Sequence, residues 1–279
     1  MIIRCWGARG SIPVSGKQYL KYGGDTTCLE IRTKGNDILI IDSGTGIRRL
    51  GNRLMQENHL SLHILFTHSH WDHLIGFPFF KPIYAEDASI VLYGCPFHHS
   101  SIKEFVSAVM TSPYFPTEYS SLRSSISYQE LCRGDFSIGT VTVLPIMLSH
   151  PNNGVGYKFI EEDKSFVFLT DNELGYIHPG GMAYKDYCNF SSGADLLIHD
   201  AEFTSEEYEK TKTWGHSVYT EALNLALDSG VKQFGLFHHN QNRTDEEIDD
   251  MVDTCCRVVR ERNSSLECFA LSQDMEIVL

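Results

Sequence analysis

The sequence is poor in positive charge, and this limits the partners that the protein can bind. Its 279 residues contain 23 Lys and Arg against 36 Asp and Glu, which gives a formal net charge of −13 at pH 7. Binding a long run of phosphates requires clustered Lys and Arg, so the balance disfavours nucleic acid as a partner. We expect a small substrate instead.

Long apolar runs and paired cysteine motifs are also missing. The chain start, Met1 to Trp6, has no charged region followed by an apolar segment, and no later run approaches membrane-spanning length. The eight cysteines form no CxxC pair, and Cys255 and Cys256 are adjacent, which is poor geometry for a disulfide. We expect a soluble cytoplasmic protein without membrane partners, whose cysteines are unpaired apolar residues in a reducing compartment.

No linker, repeat or low-complexity tract divides the chain, and strand-like and helix-like patterns alternate to its end. This pattern predicts a single domain over residues 1–279. Residues 96–131 differ in character, because aromatic side chains stand there among many serines without a clean strand pattern. We predict a helix plus an irregular loop beside the functional site, which acts as a lid or as the interface of a homodimer.

The densest cluster of chemically active residues is the stretch HSHWDH from His68 to His73, which directly follows an apolar run at residues 64–66. In an extended segment, residues two apart face the same side, so His68 and His70 can point at one position in space. Imidazole nitrogen and carboxylate oxygen are ligands that suit zinc, manganese and iron. The sequence therefore predicts a metal centre where this strand ends.

Three later polar residues also stand at the ends of apolar strands, and they are His150, Asp171 and His238. Ligands at strand ends converge at one edge of a sheet, where rigid elements can hold the geometry of a metal site. The recurrence of the same arrangement predicts that these residues join the first cluster.

Together these residues resemble the metallo-β-lactamase superfamily, and the resemblance spans essentially the whole chain. It implies an α/β fold, an αββα four-layer sandwich of two mixed β-sheets flanked by helices, with two divalent metal ions. Zinc is the first expectation, and manganese or iron suits the same ligands. The resemblance assigns the ligands of one ion as His68, His70 and His150, and those of the other as Asp72, His73 and His238, with Asp171 bridging. His239 is an alternative to His238.

Within the superfamily, the stretch LIHDAEF at residues 197–203 and the later Gly-His-Ser at 215–217 resemble the branch of tRNase Z and the cyclic-phosphate phosphodiesterases. There, the histidine matched by His216 contacts the scissile phosphate or the leaving group and is held by a carboxylate, matched by Asp200. The opening residues 6–11 resemble bacterial phosphodiesterases of this branch and make Arg9 a candidate for substrate binding.

The resemblance implies a dimetal phosphodiesterase that hydrolyses a small cyclic nucleotide or related cyclic phosphate through a metal-bridging hydroxide. Two dications would lower the pKa of bound water and neutralise the phosphate oxygens. Asp72 would bind metal and steer a proton, while His216, oriented by Asp200, would stabilise or protonate the leaving group.

Three other functions stay open at this stage. A tRNA 3′-end endonuclease shares the branch, but the chain has no long basic insertion like the arm with which tRNase Z grips tRNA. A glyoxalase II-type thioester hydrolase shares the ligands, but it requires basic residues for glutathione and has no need of His216. A non-catalytic metal sensor is the third, since a fold does not determine a function. His216 could also serve only to cap the helix predicted near Val218.

Overall fold

The computed structural model describes residues 1–279, and its strands and α-helices have the following bounds. The strands are β1 Ile2–Gly7, β2 Cys28–Arg32, β3 Ile38–Ile41, β4 Ser61–Leu65, β5 Ser89–Gly94, β6 Ser125–Glu130, β7 Phe136–Ile138, β8 Val141–Leu148, β9 Gly154–Glu161, β10 Lys164–Leu169, β11 Leu196–Asp200, β12 Gln233–Phe237, β13 Glu267–Ala270 and β14 Glu276–Val278. The helices are α1 Ile47–Glu57, α2 Trp71–Leu74, α3 Ile102–Ala108, α4 Tyr184–Ser191, α5 Ser205–Thr211, α6 Tyr219–Ser229 and α7 Asp245–Glu261.

The strands form two mixed sheets of seven strands each. The first has the order β14-β1-β2-β3-β4-β5-β6 and is parallel from β3 to β6. The second has the order β13-β12-β11-β10-β9-β8-β7 and is parallel from β10 to β13. Because parallel neighbours run in the same direction, their carboxyl ends meet at one edge of each sheet.

Alternating side chains of the buried strands separate the hydrophobic layers. In β3, Leu39 and Ile41 belong to the core between the two sheets, whereas Ile38 and Ile40 belong to the core beneath the helices. This alternation follows from the two-residue period of a strand, and fully apolar strands are those that are covered on both faces. The same division occurs along the second sheet, where Ile198 belongs to the core between the sheets and Leu197 belongs to the core beneath the helices.

Amphipathic helices cover the outer faces of both sheets. Helices α1 and α3 pack on the first sheet, and α4, α6 and α7 pack on the second. Helix α7 buries Ile248, Met251, Cys255 and Val259, which recur at three- and four-residue intervals on one side. The four layers confirm the predicted αββα sandwich. No helix combines the length and the apolar character that crossing a membrane requires.

The segment at residues 96–131 contains more regular structure than predicted. Helix α3 occurs there as expected, but residues 125–130 form β6, which pairs with β5 at the edge of the first sheet. The prediction of an irregular loop is therefore wrong for these residues, because an edge strand buries only part of one face and alternates weakly. His99 Nε2 lies 3.1 Å from Ser69 Oγ, which places the segment beside the His68 to His73 stretch. Its action as a lid or interface stays a prediction.

A disulfide joins Cys95 and Cys132, so the prediction that all eight cysteines are unpaired is wrong for this pair. Cys95 directly follows β5, and Cys132 lies two residues after β6. Because these strands are parallel neighbours, their ends lie side by side, and the two Cα atoms are 4.6 Å apart. The bond closes the segment at residues 96–131. The other six cysteines are free.

Candidate metal centre

The predicted ligands lie at the carboxyl ends of strands from both sheets. The His68 to His73 stretch follows β4 and runs into the short helix α2, while His150 follows β8. Asp171 follows β10 and His238 directly follows β12, and both adopt left-handed backbone conformations, with φ of 53° and 57°. Residues other than glycine adopt this conformation uncommonly, and such residues cluster at functional sites. They occur here where each strand leaves its sheet.

The structure brings all seven predicted ligands into two adjoining groups. One group contains His68, His70, His150 and Asp171, and the other contains Asp72, His73 and His238. The Asp171 carboxylate faces both groups, because Oδ2 lies 3.5 Å from His68 Nε2 and Oδ1 lies 3.3 Å from His73 Nε2. The arrangement agrees with the bridging position that the family resemblance implies.

Unpartnered nitrogen atoms show that the pair of groups fits metal ions. His68 Nε2 and His73 Nε2 are buried and have no hydrogen-bond partner, although an orphaned buried polar atom is costly. Their other ring nitrogens are engaged, since His73 Nδ1 lies 2.7 Å from Asp42 Oδ2 and His68 Nδ1 lies 3.0 Å from Thr67 Oγ1. Metal-binding histidines typically have their second nitrogen fixed in this way. The residues can therefore hold two divalent ions.

The charge of the site favours a cation as well. Burial lowers the pKa of His73, but the carboxylates of Asp171, Asp72 and Asp42 outweigh it and raise this pKa well above the ordinary value. His238 shows the same balance and also has a raised pKa. Buried carboxylates thus draw positive charge to this position, and a divalent ion supplies such charge more fully than a proton.

The structure places only one of the two adjacent histidines, His238, with the other candidate ligands. His238 Nε2 lies 3.1 Å from Asp72 Oδ2 and 3.4 Å from Asp171 Oδ2, within the second group. His239 points away, and its Nε2 is 2.8 Å from the carbonyl oxygen of Leu271. Burial lowers the pKa of His239 to about 3. The geometry therefore makes His238 the available ligand.

His216 lies beside the two groups, where buried carboxylates hold its ring. Its Nδ1 is 3.2 Å from Asp200 Oδ2 and 3.4 Å from Glu202 Oε2. Burial opposes protonation, but Glu202 and Asp200 outweigh it and raise the pKa of His216 to about 9. Helix α6 begins only at Tyr219, and no side chain caps it. The structure therefore gives the capping role no support, and it places His216 with Asp171 and His238 in a further group that could hold a metal ion. Proton donation by His216 stays a prediction.

Two buried carboxylates that the sequence analysis did not predict contact the ring nitrogens of histidines at the site. The Asp42 carboxylate lies 2.7 Å from His73 Nδ1 and also accepts a 2.8 Å hydrogen bond from the Thr67 N–H. Glu202 Oε2 lies 2.9 Å from His238 Nδ1, so the same carboxylate contacts both His238 and His216. Asp42 directly follows β3, so the strand-end rule that found the ligands would also have found it.

Arg9, the candidate for substrate binding, lies beneath the site and is 1% exposed. Its guanidinium donates to the carbonyl oxygens of Gly23, Asn240 and Arg243. These contacts brace the loop after His239, and none of them is with a metal-ligating side chain. The structure does not bring Arg9 to the two metal-binding groups.

Hydrogen bonds to the buried carboxylate of Glu173 hold the turn that carries His216. Glu173 accepts hydrogen bonds from the N–H groups of Thr213 and Gly215, at 2.7 and 2.8 Å, and from Tyr208 Oη at 2.6 Å. Gly215 has φ of 95°, and a Cβ there would lie 2.1 Å from His150 Nδ1. Because only glycine fits at this position, the backbone of the turn can approach the ligand His150.

Replacing Glu173 by Gln should loosen this turn, because the amide offers one acceptor atom in place of two. We expect the free energy of unfolding to fall by about 2–3 kcal/mol, the range for hydrogen bonds to a charged group. Urea unfolding measures this change. The matched control is Glu221→Gln, since burial already raises the pKa of Glu221 and one of its oxygens has no partner. Equal destabilisation by both variants would argue against the anchoring role of Glu173.

Comparisons with known proteins agree with this architecture. Residues 37–239 match the model of the beta-lactamase superfamily domain. The chain is similar to the Ribonuclease Z of Haloferax volcanii, with 24% identity over 245 residues that cover 72% of this chain and 74% of the relative. The chain is also similar to the Ribonuclease Z of Haloarcula marismortui, with 22% identity over an alignment that covers 88% of each protein.

Among solved structures, the metallo-beta-lactamase fold protein YhfI from Bacillus subtilis shares the fold, with a TM-score of 0.72 at 16% identity. The match covers 99% of this chain and 98% of that one. The family model covers well over half of the sequence and includes every predicted ligand from His68 to His238. The chain therefore belongs to the beta-lactamase superfamily, and the prediction of a metal-dependent hydrolase of this family is confirmed.

Proposed function

We propose that the protein is a dimetal phosphodiesterase. The observation that carries the proposal is the combination of two ligand groups, both faced by the Asp171 carboxylate, with a carboxylate-held His216 beside them. Ligand groups that share a carboxylate suit two-metal hydrolysis, and a protonated imidazole next to them suits the release of an oxygen leaving group. A plain metal-storage or sensor site has no need of the second feature.

The chain's own residues divide the work of the reaction. When bound, the two ions supply Lewis acidity toward the phosphate oxygens and activate water. Asp72 stays ionised, because the favourable contacts with His73 and His238 outweigh burial and hold its pKa well below the ordinary value. Its Oδ2 also accepts the Ser11 N–H at 2.9 Å, which fixes the carboxylate in place.

His216 is the proposed general acid. Asp200 and Glu202 occupy its Nδ1 side, which leaves Nε2 to donate a proton to the leaving oxygen. Asp200 is itself fixed, since its oxygens accept the N–H groups of Asn172 and Ser217, both at 3.0 Å. A donor held by a buried, fully hydrogen-bonded carboxylate is already oriented before the substrate binds.

For the substrate we propose a small cyclic nucleotide or a related cyclic phosphate. The formal net charge of −13 works against binding a polynucleotide. A cavity of about 450 Å³ opens beside His216, a volume that suits a small molecule. Glutathione thioesters fit less well, because no Lys or Arg lines this cavity to bind the carboxylates of glutathione.

A tRNA 3′-end endonuclease is the second candidate, and the comparisons favour it more than the first. Two relatives named Ribonuclease Z align with most of the chain. Their names weigh against the expectation, drawn from charge alone, that nucleic acid is not a partner. Both candidates use the same ligands and the same His216, so they differ only in what binds around the centre.

A substrate screen separates the candidates. Metal-reconstituted protein is assayed with bis-p-nitrophenyl phosphate, cyclic mononucleotides, cyclic dinucleotides, precursor tRNA and lactoylglutathione, with His68→Ala as the inactive control. We expect turnover of the chromogenic diester and of a cyclic nucleotide. Cleavage of precursor tRNA alone would establish the second candidate, and bound metal without turnover of any diester would refute the proposal.

A further inference from the structure

The cavity beside His216 differs in character from the metal centre that it adjoins. Ser11, His216 and Phe203 line the cavity. The Ser11 N–H also donates a hydrogen bond to Asp72, which links the cavity to the metal centre. The remaining wall includes Trp214 and the amide side chains of residues 240–242. We propose that this cavity is a nucleoside subsite that binds the base and sugar on the leaving-group side of the phosphate, an inference that rests on the proposed phosphodiesterase function.

Trp214 supplies the aromatic surface of the subsite. Its side chain is large, yet the residue is 63% exposed and directly precedes the Gly215-His216 turn. The backbone that carries it is fixed, because the Trp214 N–H donates to the Thr211 carbonyl oxygen at 3.0 Å and Glu173 holds the residues on either side. An exposed aromatic side chain on a rigid turn is a surface on which a base can stack, whatever the identity of that base.

The loop after β12 supplies polar groups without charge. Gln241 Oε1 is buried and has no hydrogen-bond partner. Asn240 is held in place, since its side-chain amide donates to Glu202 Oε1 at 2.9 Å and its oxygen accepts the Asn242 N–H at 2.9 Å. A buried acceptor without a partner is costly unless a ligand supplies a donor. The exocyclic amino group of a base and the hydroxyl groups of a sugar are such donors.

The cavity offers no Lys or Arg side chain to bind a second phosphate. Glu202 and Glu207 are the charged groups that line the cavity with His216, and no Lys or Arg does so. The nearby Arg243 is turned inward, where it donates to Glu207 and to the Glu202 carbonyl oxygen. The lining therefore has no free cation to pair with a further phosphate, whereas a neutral nucleoside requires none. The subsite therefore favours a single nucleoside over a strand that continues with further phosphates.

Equilibrium dialysis of labelled adenosine against the zinc-loaded protein tests the subsite without relying on turnover. We expect saturable binding that Trp214→Ala weakens roughly 10- to 100-fold, in line with the loss of one stacked base. Gln241→Leu should weaken binding by roughly fivefold or more, because a buried acceptor for the ligand is lost. Phe79→Ala is the matched control, since Phe79 is also an exposed aromatic residue but neither lines the cavity nor lies among the candidate metal ligands. Melting temperature confirms that each variant is folded.

Three further ligands test the exclusion of a second phosphate. Adenosine 3′,5′-bisphosphate should bind at least tenfold more weakly than the tighter of the 3′- and 5′-monophosphates, and tighter binding would overturn the exclusion. Absence of adenosine binding, or an equal loss in Phe79→Ala, would overturn the subsite. Diester turnover without adenosine binding would refute the subsite alone, whereas adenosine binding without any diester turnover would support the subsite and refute the proposed phosphodiesterase.

Discussion

Replacing Asp171 by Ala should lower bound metal from about two ions per chain to less than one and reduce diester turnover to the background rate. The Asp171 carboxylate faces both ligand groups, so its loss removes a ligand from each ion at once. His68→Ala should also lower metal content and abolish turnover, although it removes a ligand from one group only. Metal analysis of the dialysed protein, with bis-p-nitrophenyl phosphate turnover on the same samples, measures both effects.

Asp195→Asn is the matched control for this prediction. Asp195 is also a buried aspartate beside a strand of the second sheet, but it pairs with Lys232 at 2.7 Å and lies before β11, away from the ligand edge. This variant should keep its metal and its turnover. Full metal content with undiminished activity in both Asp171→Ala and His68→Ala would refute the assignment of the two-metal centre.

Replacing His216 by Ala should leave the metal content unchanged and lower kcat by roughly 10²–10⁴ for a diester with a poor leaving group, the range typical of a lost general acid. Seven other residues already supply the two ligand groups, which is why metal should be retained. The kcat for bis-p-nitrophenyl phosphate should fall less, because p-nitrophenolate is a good leaving group that needs little proton donation. Steady-state kinetics with both substrates, together with metal analysis, measures the contrast.

The control for this variant is His63→Ala. His63 is half-buried on β4, where its Nδ1 lies 3.1 Å from Tyr93 Oη, so removing it alters a histidine outside the site. Its turnover should match that of the unaltered protein with both substrates. An equal loss for good and poor leaving groups in His216→Ala would count against proton donation, and loss of metal would show that His216 is a ligand.

The ligand set was accessible from the sequence because each ligand follows an apolar strand. The apolar pattern of a buried strand lies within a few consecutive residues, so the ends of β10 and β12 can be located without knowing which strands pair. Polar residues at those ends converge when the strands are parallel or lie in facing sheets. His150, Asp171 and His238 were predicted in this way, and the family resemblance then divided them between two ions.

The sequence patterns were weaker at the edge of the first sheet. Strand β6 reads SISYQE, and only Ile126 and Tyr128 are partly buried, so its alternation is too short to identify. Without β6 there was no reason to place Cys95 near Cys132, because their proximity depends on the pairing of β5 with β6. The expectation of unpaired cysteines rested on the missing CxxC pairs and on an expected reducing compartment, and neither observation bears on a pairing that depends on neighbouring strands.

The sequence by itself determined the alternation of strands and helices and the residue types of the candidate metal centre, since both depend on patterns within short segments. The four-layer sandwich was implied by the family resemblance. Only the tertiary structure decided that His238 and not His239 reaches the centre, and that Glu202 contacts both His238 and His216. It also brought Trp214 and Gln241 to one cavity. These relations join residues far apart in the chain through the packing of two sheets and their loops, and local periodicity carries no information about such distances.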